Sequence, residues 1–317
     1  MSSGREPSPR DSLRGAALWR ARWRFVSRSV RLTCRHPSVA FVLPSGRRAA
    51  TRAMQRAVER EYERAPSPCA WAGGARIRLN PRSTLAQNAS MAIARWYEPA
   101  VTEVFAPLCR PNGTVIDVGA NVGWYTFLAA AGVGPEGLVL GFEPDPENFG
   151  FLSGSLADNP RPQVQISEEC LSDHVGEERL FLSDEAASYH SIARPVGTRS
   201  LSVRSTTLDS VVQRRNLGRV DLMKIDVEGG EPKVLHGARE TLRAGKIRNL
   251  ILEWRPECWA GEDGIWGDVT DGMDVYRIEM SPRLLVRIPN PTVEHVSVEA
   301  RAAGLHGKDL YLTRARK

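Results

Sequence analysis

Nothing in the 317 residues approaches the roughly 18 consecutive apolar positions that span a bilayer. The patch VAFVLP at 39–44 is too short even for the apolar core of a secretory signal, so neither membrane insertion nor export is expected. Cysteine is sparse. Cys34, Cys69, Cys109, Cys170 and Cys258 are odd in number, far apart and never in a C-x-x-C pair. That pattern argues against a disulfide framework or a zinc site and for reduced thiols in the cytoplasm. Two phosphate-binding loops are missing as well. A dinucleotide loop, G-x-G-x-x-G, would need glycine where Asn121 and Trp124 follow Gly119, and those side chains would obstruct a pyrophosphate. Neither Gly245-Lys246 nor Gly307-Lys308 belongs to a G-x-x-x-x-G-K-[ST] loop, which argues against a nucleoside triphosphate.

What is present reads as soluble and globular: 42% of residues are hydrophobic and 25% charged, with length for one large core or two modest ones. The net charge of +6 is uneven. Residues 1–52 carry Arg14, Arg20, Arg22, Arg24, Arg28, Arg31 and Arg35 against only Glu6 and Asp11. Trp19, Trp23, Val26 and Val30 recur there at helical spacing. Such a helix could touch anionic lipid at a membrane surface or nucleic acid, or pack its tryptophans inward with the arginines solvated, and we favour the second. The stretch also has the composition of an organellar transit segment, a weaker reading. Residues 66–90, rich in Pro, Gly, Ser and Asn, read as a connecting region with a strand-like patch at 76–79. The expected division is therefore an arginine-rich helical extension and linker over 1–90 and one catalytic domain over 91–317.

Within 91–317, β-rich runs alternate with helical patterns. TVIDVG, LVLGFEP at 138–144, VQISEECLS at 164–172, VDLMKIDV at 220–227 and NLILEW at 249–254 read as strands. Helices are expected at 124–131, 146–156 and 232–242. VYRIE at 275–279 and DLYLTR at 309–314 follow without a clear helix between them and suggest a terminal antiparallel hairpin. The fold class is α/β, a doubly wound and mostly parallel sheet of seven strands with that hairpin at its end.

At VIDVGANVGWYTF, 115–127, a strand gives way to a glycine turn and a helix start, the corner where such domains bind ligands. The form D-x-G-A-N-x-G suits a ligand that needs close backbone contact and carries no phosphate. S-adenosylmethionine answers to that: an ammonium for carboxylates, a carboxylate for amides at a helix start, and a ribose diol for a bidentate acceptor. Glu143, in GFEPD and about 26 residues beyond Asp117, has the spacing of a ribose-binding acid, and Pro144 biases it toward extended backbone.

WYEP at 96–99, VIDVGANVGWYTFLAA at 115–130, GFEPDPENF at 141–149, TTLDSVV at 206–212 and VDLMKIDVEGGEPKVLHGA at 220–238 closely resemble the signature blocks of FkbM-type S-adenosylmethionine-dependent methyltransferases. The resemblance covers about half the chain. It implies a Rossmann-like class I methyltransferase fold and methylation of a hydroxyl on a small natural product, sugar or glycan. By position it implies Asp117, Gly119, Ala120, Asn121 and Gly123 on the methionine side of the cofactor and Glu143 with Pro144 at the ribose. Leu171, Ser172 and Asp173 would lie near adenine, and Asp226 and Glu228 beside the reacting methyl.

The residues of KIDVEG support this independently. If 226–228 stay extended, Asp226 and Glu228 share a face at a strand end, where a carboxylate can take a proton from an attacking hydroxyl. Glu228 is the preferred base and Asp226 a contact to the cofactor ammonium; a salt bridge with Lys224 or a helix cap is the structural alternative. His190 is a rival base. Glu253 could join Asp226 and Glu228 in an oxygen-rich magnesium site, but nothing fixes ligand geometry and no metal is assigned. Trp254, Trp259 and Trp266 either wall the acceptor site or pack its surroundings. Nucleic acid is disfavoured as acceptor: the D-P-P-Y type of motif is absent, and Pro68-Cys69 lies outside the methyltransferase blocks. A non-catalytic module that binds S-adenosylmethionine is the remaining alternative.

Overall fold

The computed structural model describes residues 56, 57, 59–64, 69–95, 97–279, 285–302 and 308–314. The chain forms two units, Met1–Arg60 and Glu61–Lys317. The arginine-rich segment with Trp19 and Trp23, and the readings attached to it, lie outside the described residues. No described helix is long and apolar enough to cross a membrane.

The second unit is built on parallel strands β3 (Thr114–Val118), β4 (Leu138–Phe142), β5 (Val164–Ser167), β9 (Leu222–Ile225) and β10 (Asn249–Trp254). Their continuous apolar runs suit strands covered on both faces. With β11 (Met273–Ile278), β12 (Leu285–Arg287) and β13 (Lys308–Arg314) they make one sheet in the order β12-β11-β13-β10-β9-β3-β4-β5. From β3 the chain proceeds to β4 on one side, whereas β9 lies on the other. The strand order therefore reverses at β3 and β9, which opens a crevice beyond their carboxyl ends.

The α/β class and the mostly parallel sheet agree with the sequence reading; four details differ. The sheet has eight strands, because β12 adds a short edge. β11 and β13 are antiparallel neighbours but not a hairpin, since β12 and the helix Val293–Ala302 separate them. That helix buries Val293, Val296 and Ala300, an i, i+3, i+7 stripe. The run at 164–172 is also two elements. β5 ends at Ser167, and β6 (Cys170–Leu171) leaves the main sheet to join β8 (Arg199–Thr206) and β7 (Gly176–Leu182) in a separate order β6-β8-β7. The helix expected over 232–242 is interrupted as well, giving Glu231–His236 and Arg239–Arg243. At Gly237, between them, a Cβ would lie 1.9 Å from the Ser172 carbonyl oxygen.

Before β3, the hairpin β1 (Cys69–Ala72) and β2 (Ala75–Arg78) buries Ala70, Ala72, Ala75 and Ile77 in the same core as Phe127 and Leu152. These belong to the helices Trp124–Val133 and Pro146–Asp158. Arg78 donates through Nε and Nη2 to both carboxylate oxygens of Asp158.

The tryptophans at and beyond the end of β10 pack among themselves. Trp254 and Trp259 stack with centroids 4.1 Å apart, Trp266 meets both edge-on, and all three are 2% exposed or less. They are core and not a wall facing an acceptor. Trp259→Ala is expected to cost about 3–5 kcal/mol of stability, read by denaturant unfolding.

Candidate active site

Beyond the ends of β3, β4 and β9 lies an open cleft lined by Gly119, Asn121, Glu143, Asp226 and Glu228 among others. Its floor is the turn after β3. The amides of Gly119 and Ala120 both donate to the Phe142 carbonyl at 2.9 Å, which binds the turn to β4. Gly119 has φ 79°, and a Cβ on it would stand 2.0 Å from the carbonyl oxygen of Asp226. Only glycine lets the turn close against the end of β9. Asn121 is also left-handed, a conformation Asn tolerates, and its Oδ1 accepts from the Val122 amide at 2.8 Å.

Glu143 stands at one end of the cleft. The Asn121 amide donates to its Oε2 at 2.7 Å and the Asp145 amide to its Oε1 at 3.0 Å. Burial raises this carboxyl to about 8 against the pull of both amides. Two backbone donors fix its plane, and each oxygen retains lone-pair capacity for a further donor.

The other end carries Asp226 and Glu228. Residues 226–228 are not extended, in contrast to the sequence reading: β9 stops at Ile225 and Glu228 has φ 57°. Both residues nevertheless line the cleft. Asp226 Oδ2 accepts from Lys224 Nζ at 2.6 Å, so the salt bridge weighed as a structural alternative exists alongside the cleft position. Burial alone would lower the Lys224 ammonium, but Asp226, Glu98 and Asp117 hold it above its usual value. It also sits 4.4 Å from the centroid of the Tyr125 ring. Arg255 binds Oε2 of Glu228 and both oxygens of Glu253. Burial and the charge of Asp226 raise Glu228 to about 8 despite Arg255; burial, Asp226 and Glu228 raise Glu253 to about 10. Asp226, Glu228 and Glu253 each offer an oxygen within 4.8 Å of the others, close enough to hold a cation, with Arg255 already neutralising two of them.

Of the residues expected in the site, Gly119, Asn121, Glu143, Pro144, Leu171, His190, Asp226 and Glu228 share this cleft. The others stand behind or beside it. Asp117 is buried, its Oδ2 accepting from Thr126 Oγ1 at 2.6 Å, so it joins β3 to the following helix. Ala120 is buried, and Gly123 faces Leu152 and Phe127. Ser172 donates to Glu178 at 2.6 Å, and Asp173 pairs with His174 at 2.8 Å on the exterior. His190 lies at the Glu143 end: its Nδ1 accepts from the Ser183 amide at 2.9 Å, and Nε2 is 3.7 Å from Asp145. Desolvation lowers the His190 imidazole. The sequence reading missed Asn148, Leu180, Ser188 and Ile192, which also line the cleft, and the pairing role of Arg255. Asn148 alone had a signal, since it falls inside the block GFEPDPENF.

Residues 117–276, half of the chain, match the methyltransferase FkbM domain. The chain is similar to the methyltransferase sdnD of Sordaria araneosa, at 28% identity over 46% of this chain and 68% of that one. It is also similar to the 31-O-demethyl-FK506 methyltransferase FkbM of Streptomyces tacrolimicus, at 26% identity over 48% and 72%. A match to the antimetabolite synthetase AmbE of Pseudomonas aeruginosa, 29% identical, covers 45% of this chain and 8% of that much longer protein. Among solved structures, a methyltransferase FkbM from Methylobacillus flagellatus aligns with a TM-score of 0.39 and 14% identity, over 73% of this chain and 56% of the other. With the domain match spanning half its length, the chain belongs to the FkbM methyltransferase family.

Proposed function

We propose that this methyltransferase carries a methyl group from S-adenosylmethionine to a hydroxyl of a small natural product, sugar or glycan. The observation that carries the reading is the cleft's polarity: one carboxylate held rigid by two amides at one end, and two carboxylates beside a strand end at the other. When bound, S-adenosylmethionine supplies an electrophilic methyl on a sulfonium. Glu143 would accept from both ribose hydroxyls. The glycine turn allows close approach of the backbone at 119–121, and Asp226 would face the ammonium.

Glu228 takes the hydroxyl proton. Arg255 holds its Oε2, which leaves Oε1 for the acceptor, and a carboxyl near 8 is well matched to proton transfer around neutral pH. His190 is left out of this step. Its Nδ1 is occupied by an amide donor, so Nε2 carries the proton of the neutral ring and no basic nitrogen is open. The cations at this end of the cleft, Lys224 and Arg255, are taken up in pairs with Asp226, Glu228 and Glu253 and leave little to hold a phosphate backbone, which favours a small or glycan acceptor over nucleic acid. Residues 91–317 carry all of these roles, and none is assigned to 1–90.

Calorimetric titration is expected to give binding of S-adenosylmethionine and none of NADH, with affinity reduced at least about tenfold in Glu143→Ala. Binding of NADH alone would sink the reading. With an acceptor in hand, turnover should rise with pH through about 8 as Glu228 ionises. Glu228→Gln should lose that rise and about 100-fold or more in kcat while keeping cofactor affinity. Full activity in excess chelator is expected, because Arg255 already occupies the Glu228–Glu253 pair; loss restored by magnesium would show a metal there instead.

A further inference from the structure

Glu231 opens the helix Glu231–His236, a position where an acid usually faces water, yet it is fully buried. Its Oε1 accepts from the amides of Val227 at 3.0 Å and Gly229 at 3.3 Å. Among the described residues its Oε2 has no hydrogen-bond partner. The backbone captured in this way, 226–229, carries both carboxylates at the methyl end of the cleft.

That backbone needs the support. Glu228 is left-handed at φ 57°, and Gly229 follows at φ 100°. A non-glycine residue in this region is strained and persists where its surroundings over-determine it. Three restraints are present. The Gly230 amide donates to the Val227 carbonyl at 3.2 Å, Ser191 Oγ donates to the Glu228 carbonyl at 2.9 Å, and Glu231 takes the two amides between them. Without Glu231 those amides lose their acceptor, and the turn must rearrange to satisfy them.

We propose that Glu231 is a positioning residue, whose buried Oε1 fixes the left-handed turn that presents Asp226 and Glu228 to the cleft. The inference rests on reading the cleft as the methyl-transfer site. The role belongs to an acceptor atom and does not require charge, so glutamine should fill it. Burial raises the Glu231 carboxyl to about 7 while its own amide and those of Val227 and Gly229 favour its anion. A carboxyl raised on folding stabilises the fold below its unfolded pKa and loses that contribution as pH rises through the folded value. Glutamine does not titrate, so Glu231→Gln should gain thermal stability relative to wild type between pH 5 and 8.

The test compares wild type, Glu231→Gln, Glu231→Asp and Glu231→Ala by titration with S-adenosylmethionine and S-adenosylhomocysteine, with thermal unfolding at pH 5 and pH 8. Aspartate keeps the charge but withdraws the acceptor by one methylene, and it replaces alanine if alanine does not fold. The expected result is affinity at least about tenfold weaker in the alanine and aspartate variants and within about threefold of wild type in the glutamine variant. Wild-type affinity in both alanine and aspartate would overturn the proposal. So would a glutamine variant as weak as alanine, since the charge and not the acceptor would then matter. Failure of wild type itself to bind either nucleoside would remove the reading of the cleft, a result distinct from these.

Discussion

The closeness of two strand ends governs this molecule. The turn leaving β3 presses its Gly119 against the carbonyl of Asp226, and the Asp226 amide in turn donates to the Val118 carbonyl at 3.0 Å. A side chain at Gly119 would force the ends apart, and the cleft with them. Once they meet, the amides of residues 119–121 have nowhere to turn except the end of β4, where the Phe142 carbonyl and the Glu143 carboxylate accept them. One steric constraint in the backbone thus aims the carboxylate at one end of the site and fixes the distance to the carboxylates at the other.

Around that contact the electrostatics are lopsided. Glu98, Asp226, Glu228 and Glu253 gather near two cations, Lys224 and Arg255. Buried acids in such company keep their protons more readily, which is why Glu98, Glu228 and Glu253 all shift upward. A positive charge entering there would favour the ionised carboxylates and draw those protons off. Lys224 has a further effect: with Nζ 2.6 Å from Asp226 and 4.0 Å from Glu98, it brings the loop of the WYEP block to the strand of the KIDVEG block.

The cleft was legible in the sequence where chemistry coincides with punctuation. Gly119, Asn121, Glu143 and Asp226 sit where an apolar strand breaks, and the spacing between breaks measures out the βα units. Elsewhere the information is tertiary. Ser188 and Ile192 reach the cleft because the β7–β8 excursion folds back over it, and no local pattern announces that return. Glu228 was placed by its motif, but its left-handed backbone was not foreseen, because glutamate carries no signal for positive φ and the cause lies in Glu231 and Gly229. The helix Val293–Ala302 is a different case: its stripe of Val293, Val296 and Ala300 was present in the sequence and was passed over between two stronger strand patterns.

The hairpin of residues 69–78 contributes no residue to the cleft lining, yet it bears on how the enzyme can be divided. Gly73 at its tip approaches the helix Trp124–Val133 so closely that a Cβ would lie 2.0 Å from the Phe127 carbonyl oxygen, and Ile77 is fully buried beneath it. A fragment started at residue 91 would retain every candidate catalytic group while stripping the outer layer from the two helices that follow β3 and β4. Apolar surface uncovered there would invite self-association, so a minimal soluble version of this enzyme should be cut upstream of Cys69.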